Sequence, residues 1–457
     1  MKKFFLAIDI GASSGRHIVG WLEDGKIQLK EVYRFANGAE KRDGHLFWNA
    51  ARLEREVVNG LKAAADQGFK PDFIGIDTWA VDYALLDEND EIIGDIYSYR
   101  DDRTFASSKE VHGIISFNEL YSRTGIQFQQ FNTVYQLYSD KISGRLKKAR
   151  SFLMLPDYLG YRLTGVKRQE YTNATSTGMV NASTHKWDGD IIKILGFDAN
   201  LFGELSQPGT LVGGLKKQVA DYVGYNAAVV LPATHDTASA VLAAPIEFGQ
   251  PYISSGTWSL LGAEQKSAHT DEASRKANYS NEGSINFAFR YQKNIMGLWM
   301  LQSIKKELGN LSFPELISLA RGAEKGYTVD VNHSIFLSPA SMTAAVCAAV
   351  GRALDTPALL RTVYDSLALS YKQAVEELES NTGEKYASIN IIGGGSRDGL
   401  LNELTAKATG KKIITGPVEA TAIGNIAMQM VSAGAVKNIA AARDIIRNSF
   451  DIKEVQA

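Results

Sequence analysis

The chain has 457 residues, of which 45% are hydrophobic and 22% charged, with only 10 prolines. At that length one hydrophobic core normally gives way to two domains, and nothing in the composition has to stay disordered. The 49 basic and 51 acidic residues leave a net charge of -2, which argues against a nucleic-acid or anionic-membrane partner. The single cysteine, Cys347, rules out an internal disulfide and fits a reducing compartment. It lies in the small apolar stretch 344–350, which reads as a helix with a buried structural thiol. At the N-terminus, Asp9 interrupts the apolar run after five residues and no cleavage site follows. That segment therefore reads as a first strand rather than a leader. No apolar run reaches membrane-spanning length, so the expectation is a cytoplasmic protein.

Residues 4–10 form a short apolar strand, 17–21 continue extended, and Glu23-Asp24-Gly25 makes a hairpin turn into alternating residues 27–35. Residues 48–67 carry apolar side chains at helical spacing, with Gly68 at the C-terminal end. Residues 73–76 and 80–86 return to strand. A meander, a helix and a further strand suit a mixed α/β sheet. The pattern restarts after Glu247-Phe248-Gly249-Gln250-Pro251, with strands 252–255 and 258–263 around a small-residue turn. Two copies of one α/β plan are expected, over residues 1–246 and 247–457, with a cleft between them. Helices are expected over 358–378, 400–410 and 420–433, and a strand over 388–392.

Five segments carry residue types suited to chemistry. Asp9-Ile10-Gly11-Ala12-Ser13-Ser14-Gly15-Arg16 offers backbone amides, hydroxyls and a guanidinium to an anion, and a carboxylate to a hydrated Mg²⁺; the alternative is an ordinary hairpin turn. Ser254-Ser255-Gly256-Thr257-Trp258-Ser259 repeats that turn at the start of the second half. Ile391-Ile392-Gly393-Gly394-Gly395-Ser396-Arg397-Asp398 runs from strand to helix through three glycines. Bare backbone there suits a flat adenine or ribose face, with Asn402 adding a polar contact from the helix. Thr234-His235-Asp236-Thr237-Ala238 places a carboxylate at a strand end, either as a proton acceptor for an alcohol or simply as a helix cap. Gly75-Ile76-Asp77-Thr78-Trp79-Ala80-Val81-Asp82-Tyr83 sets two acids and a tryptophan around small residues, with Asp82 expected to face a polar pocket; a strand with exposed acids is the other reading.

These segments, taken in order with Tyr99-Arg100-Asp101, Gly125-Ile126-Gln127-Phe128, Phe131-Asn132-Thr133, Met154-Leu155-Pro156-Asp157-Tyr158, Asn294-Ile295-Met296-Gly297-Leu298-Trp299 and Gly416-Pro417-Val418-Glu419-Ala420, resemble the FGGY family of carbohydrate kinases. The resemblance spans Asp9 to Gly424. It implies two actin-like, ribonuclease H-like ATPase domains, each with a mixed sheet, and transfer from ATP with Mg²⁺ to O1 of a ketose, L-rhamnulose. By motif match it implies Asp236 as the general base and Asp9 as the metal residue, acting through water. Ala12, Ser13, Ser14, Gly15, Arg16 and Thr257 then hold phosphates, Gln302, Gly395 and Asn402 meet the nucleotide, and Ala80, His235, Asp236, Thr237 and Asn294 line the sugar site. The sugar and ATP are the implied partners. An ordinary aspartate is ionised near pH 7, so the base needs no special environment. The resemblance predicts glycine where Ala80 stands, which bears on sugar identity. Kinases for fuculose, xylulose or another polyol, and a non-catalytic nucleotide-switched regulator, are the alternatives.

Overall fold

In the computed structural model, which describes residues 2–456, the chain forms two units. The first gathers the chain up to Ala243 with residues 265–291 and 421–449; the second holds 244–264, 292–420 and the chain from Phe450. Among the described residues no helix is long and apolar enough to cross a membrane.

The first unit is built on a six-stranded sheet. The apolar N-terminal run makes β1 (Phe5–Ile10), buried at every residue. It is followed by β2 (Ser14–Glu23) and β3 (Lys26–Ala36) in an antiparallel meander. Asp24 and Gly25 both take positive φ, 49° and 73°, as the right-handed twist of a tight hairpin demands. Asn49 caps α1 (Ala50–Asp66) by accepting the Arg52 N–H. Leu53, Val57 and Leu61 of this helix share one hydrophobic core with Leu6 and Ile8 of β1. The chain returns as β4 (Phe73–Thr78), parallel to β1. After a long excursion, β5 (Leu211–Gly214) and β6 (Ala228–Val230) complete the order β5-β6-β4-β1-β2-β3. Helix α2 (Asp236–Ala243) follows β6.

The second unit repeats the plan. Strands β7 (Pro251–Ser255), β8 (Trp258–Gln265) and β9 (Phe289–Met296) come first, then α3 (Trp299–Glu307) and the long α4 (Thr356–Thr382). Next are β10 (Ser388–Ile392), α5 (Gly399–Thr409), β11 (Lys412–Thr415) and β12 (Lys453–Val455). The sheet has seven strands, with the short strand Ser280–Gly283 at its edge and then the order β9-β8-β7-β10-β11-β12. β7 is antiparallel to β8 and parallel to β10, just as β1 is to β2 and β4. The outer antiparallel strand differs in origin: β5 precedes its partner β6, whereas β12 comes from the end of the chain.

The helix Ala420–Ser432 follows β11, and from residue 421 it belongs to the first unit. It crosses α2 so closely that a Cβ on Gly424 would lie 1.7 Å from the Ser239 carbonyl oxygen, so only glycine fits. Further along, Gln429 donates to the Leu6 carbonyl at 3.0 Å.

Two local expectations differ from the structure. The strand expected from residue 80 begins at Tyr83, because Ala80–Asp82 forms a tight turn. Cys347 does lie on a helix, Met342–Val350, but that helix buries Met342 and Val346 and leaves the thiol half-exposed.

Candidate active site

In the first unit, Asp9 near the end of β1 pairs in register with Asp77 on β4 and with Arg16 on β2. Asp9 Oδ2 accepts from Arg16 Nε at 3.0 Å and Nη2 at 2.9 Å. Arg16, expected on a phosphate, is therefore committed here to Asp9. The turn between the strands closes with Gly11 N–H donating to the Ser14 carbonyl at 2.9 Å. Asn37 braces it from β3's end, donating to the Gly11 carbonyl at 2.8 Å. Ser13 is exposed, Ala12 and Ser14 are half-buried, and Gly15 is buried against the Phe35 ring.

Asp77 is fully buried. Its Oδ2 accepts from Asn425 of helix Ala420–Ser432 at 2.5 Å, and its Oδ1 has no hydrogen-bond partner. Burial, then the charges of Asp9 and Asp236, hold its pKa well above the usual carboxylate range, against Asn425 and Arg16. The alternation of residues 75–83 pointed to this strand but not to Asp77 in particular. Its signal is the partner helix, which no local pattern reveals.

Asp236 is the first residue of α2, where β6 delivers the chain. Its Oδ1 accepts the Thr237 N–H at 2.6 Å and the Thr237 hydroxyl at 3.2 Å. Its side chain is 32% exposed. Desolvation raises its pKa, His235 opposes that rise, and Asp9 adds to it; the environment is thus shifted where an ordinary one was expected. His235 Nε2 lies 3.4 Å from Asp236 Oδ1. Behind it, buried Glu170 accepts from the Thr234 hydroxyl at 2.7 Å and fixes the approach to the helix.

Ala80 sits at the start of a γ-turn in which Asp82 N–H donates to the Ala80 carbonyl at 3.0 Å and Val81 takes φ 69°. That region is strained for a β-branched residue, so the surroundings must over-determine it. They do. Asp82 Oδ2 accepts from Trp48 Nε1 at 2.6 Å, Trp79 Nε1 at 2.8 Å and Tyr99 N–H at 3.1 Å, and Oδ1 from Gln136 at 3.1 Å. The Val81 carbonyl accepts from the Thr133 hydroxyl at 2.7 Å. The expectation that Asp82 faces a polar pocket is therefore corrected: it is fully buried and organises an aromatic wall. Trp48 and Trp79 lie 4.3 Å apart between ring centroids, and Tyr99 meets Phe131 edge-on at 5.4 Å.

In the second unit, Thr257 and Gln302 are brought together, with a 3.3 Å hydrogen bond between their side chains. The start of α3 supports that turn, as the Leu298 and Trp299 N–H groups donate to the carbonyls of Gly256 and Thr257. Asn294 lies on β9 with its side-chain Oδ1 buried and unpartnered. The glycine run divides in role. A Cβ on Gly395 would lie 2.0 Å from Ser255 Oγ, whereas a Cβ on Gly394 would meet nothing within 4 Å. Gly395 is thus required by packing, and Gly394 is the open face. Asn402 is buried beneath the loop, donating to the Ser396 carbonyl at 2.9 Å.

Residues 4–243 match the model of the FGGY family of carbohydrate kinases, N-terminal domain, and residues 251–433 match that of the C-terminal domain. The chain is 45% identical to a rhamnulokinase of Oceanobacillus iheyensis over 99% of this chain and 98% of that one. It is 46% identical to a rhamnulokinase of Halalkalibacterium halodurans over 98% of both. Among solved structures, a gluconate kinase from Lactobacillus acidophilus superposes with a TM-score of 0.84 at 15% identity, covering 100% of this chain and 94% of that one. A ligand-bound xylulose kinase from the same organism gives 0.83 at 16%, covering 99% and 94%. At such low identity these two speak for the fold alone, while the family models and the full-length relatives establish the lineage. The chain belongs to the FGGY family of carbohydrate kinases.

Proposed function

We propose that the chain is an ATP-dependent kinase that phosphorylates L-rhamnulose at O1, giving L-rhamnulose 1-phosphate and ADP. The observation that carries the chemistry is Asp236: a carboxylate at a strand-to-helix junction, one-third exposed, with an imidazole beside it and its own helix holding one oxygen. The choice of sugar follows the full-length likeness to proteins named rhamnulokinase. On this reading residues 1–246 carry the sugar, the base and the first phosphate turn, and residues 247–457 carry the nucleotide. The enzyme works in the cytoplasm on two small molecules.

In the reaction Asp236 takes the proton from the O1 hydroxyl as that oxygen attacks the γ-phosphorus. The bond from the γ-phosphorus to the β,γ-bridging oxygen breaks, and ADP leaves with the electron pair. His235 and Thr237 hold the acceptor beside the base, and Ala80, on its strained turn, with the wall of Trp79 and Tyr99 shapes the sugar's apolar side. Asn294 supplies a buried amide oxygen in need of a donor, which a sugar hydroxyl provides. Residues 12–15 and Thr257 take phosphate oxygens, while Gln302 and the open backbone at Gly394 take the nucleoside, with Asn402 bracing that loop.

A divalent cation would offset the carboxylate charge gathered here. Asp9, Asp77 and Asp236 act on one another electrostatically, with Arg16 as the nearby offset, and Asp77 keeps a buried oxygen without a partner. Asp9 would hold Mg²⁺ through water, with Asp77 behind it. Bound Mg²⁺ supplies neutralisation of charge on the phosphoryl oxygens.

A coupled ADP-release assay across L-rhamnulose, L-fuculose, D-xylulose and glycerol tests the assignment. The expected result is the highest kcat/KM with L-rhamnulose. A clear preference for another acceptor, or ATP turnover indifferent to sugar, overturns it.

A further inference from the structure

Behind His235 lies a buried ion pair that no part of the reaction above uses. The hairpin after residue 279 carries Glu282 on the strand Ser280–Gly283 and Arg290 on β9, both within the first unit. Arg290 is wholly buried and Glu282 is 7% exposed. Arg290 Nη2 donates to Glu282 Oε2 at 2.9 Å, and Arg290 Nε donates to the Gly283 carbonyl at 3.1 Å. The hairpin is itself fixed, with Gly283 N–H donating to the Thr175 hydroxyl at 2.8 Å.

His235 Nδ1 lies 3.0 Å from the same Glu282 oxygen and 3.2 Å from Arg290 Nη2. A bare Nδ1 at that distance would set its lone pair against a carboxylate oxygen in a site sheltered from water. An Nδ1–H instead donates to the Glu282 oxygen, and Arg290, which has donors only and already gives one to that oxygen, offsets the carboxylate charge. The other ring nitrogen then faces Asp236.

We infer that Glu282, backed by Arg290, is a positioning residue that fixes the ring angle and tautomer of His235, so that Nε2 is presented as a hydrogen-bond acceptor beside Asp236. His235 Nε2 lies 3.4 Å from the Asp236 oxygen that Thr237 holds, so Nε2 and the other carboxylate oxygen stand as neighbouring acceptors for two hydroxyls of one polyol: the reacting O1–H goes to Asp236 and a second hydroxyl to His235. A polyol seated by both keeps O1 on the base. Carboxylate-to-histidine support of this kind is how buried imidazoles are commonly oriented.

The inference rests on Asp236 being the base, and its test reads the two ideas separately. Full-length protein labelled with ¹⁵N-histidine gives a two-bond ¹H–¹⁵N spectrum of seven rings, with His235 assigned by its loss in His235→Asn. The expected wild-type pattern is Nδ1–H with a bare Nε2. Glu282→Gln, whose amide oxygen still accepts, should keep that pattern and nearly the wild-type KM for sugar. The double variant Glu282→Leu/Arg290→Met replaces the ion pair with apolar groups, a change that commonly leaves a fold intact. It should lose the pattern and raise the sugar KM by about tenfold to a hundredfold, with the ATP KM unmoved. An Nε2–H tautomer in the wild type, or a folded double variant with unchanged tautomer and sugar KM, overturns the inference. Loss of the base assignment would show instead as retained kcat in Asp236→Asn, whatever the ring's tautomer.

Discussion

The two sheets hold equivalent strand ends in opposite chemistry. In the first unit the position two residues before the turn glycine is Asp9, and its parallel neighbour is Asp77; in the second, the same place pairs Ser254 with Ile392. The backbone frame is shared, so the frame decides where a chain end can meet a substrate. The side chains decide what it does there. One end concentrates carboxylates able to take a proton or face a cation. The other offers hydroxyls and bare backbone, which suit a nucleotide that already carries its own charge.

Between the two matching strand ends, the largest effect is expected at the acidic one. Asp9→Asn should lower kcat by about 10²- to 10³-fold, the range seen when one charge-stabilising group is lost, and should raise the Mg²⁺ concentration needed for half-maximal ADP release. Ser254→Ala at the matching place should do neither. Equal losses in both variants would erase the contrast.

The buried acids extend the contrast to stability. Asp82 is raised from 3.8 to about 6, by burial working against its four donors. Glu379 of the second unit resists desolvation and is held at about 2 by Lys411 and Lys385. The signs are therefore opposite. Asp82 contributes stability that is complete below pH 4 and is lost as pH rises through 6, about 3 kcal/mol in all. Glu379 contributes stability present above pH 4.5 and lost as pH falls through 2. Urea midpoints between pH 4 and 7 should fall more steeply with pH in the wild type than in Asp82→Asn, since Asp77 and Asp236 keep their own raised values. Identical slopes would place the titration elsewhere.

Smaller effects should separate the two glycines of the neutral end. Gly395→Ala drives a methyl into Ser255 and should cost about 1–3 kcal/mol of stability. Gly394→Ala should leave melting unchanged and weaken ATP modestly, measured as KM. The reverse ranking would exchange the two roles.

Much of this was legible locally. The meander, both turns and the strand into Gly393 follow from alternation, Asp-Gly and Gly-rich signals read a few residues at a time. The duplication was legible because those signals recur in the same order. What escaped were partners from far along the chain. Asp77 gains its meaning from Asn425, and His235 from Glu282 and Arg290; no window of sequence contains either pair. Asp82 misled for the converse reason: an acid among aromatic residues has the pattern of a sugar-binding edge, but its oxygens are taken by Trp48, Trp79, Tyr99 and Gln136. Gly395 likewise carries the pattern of a ligand-facing glycine and is consumed by Ser255.

The central claim is that Asp236 takes the acceptor's proton. It is tested most directly by kcat for L-rhamnulose with saturating ATP in wild type and Asp236→Asn, alongside thermal melting of both. We expect a fall of about 10²- to 10⁴-fold with the melting temperature retained; a folded Asp236→Asn enzyme with near-wild-type kcat would contradict that role.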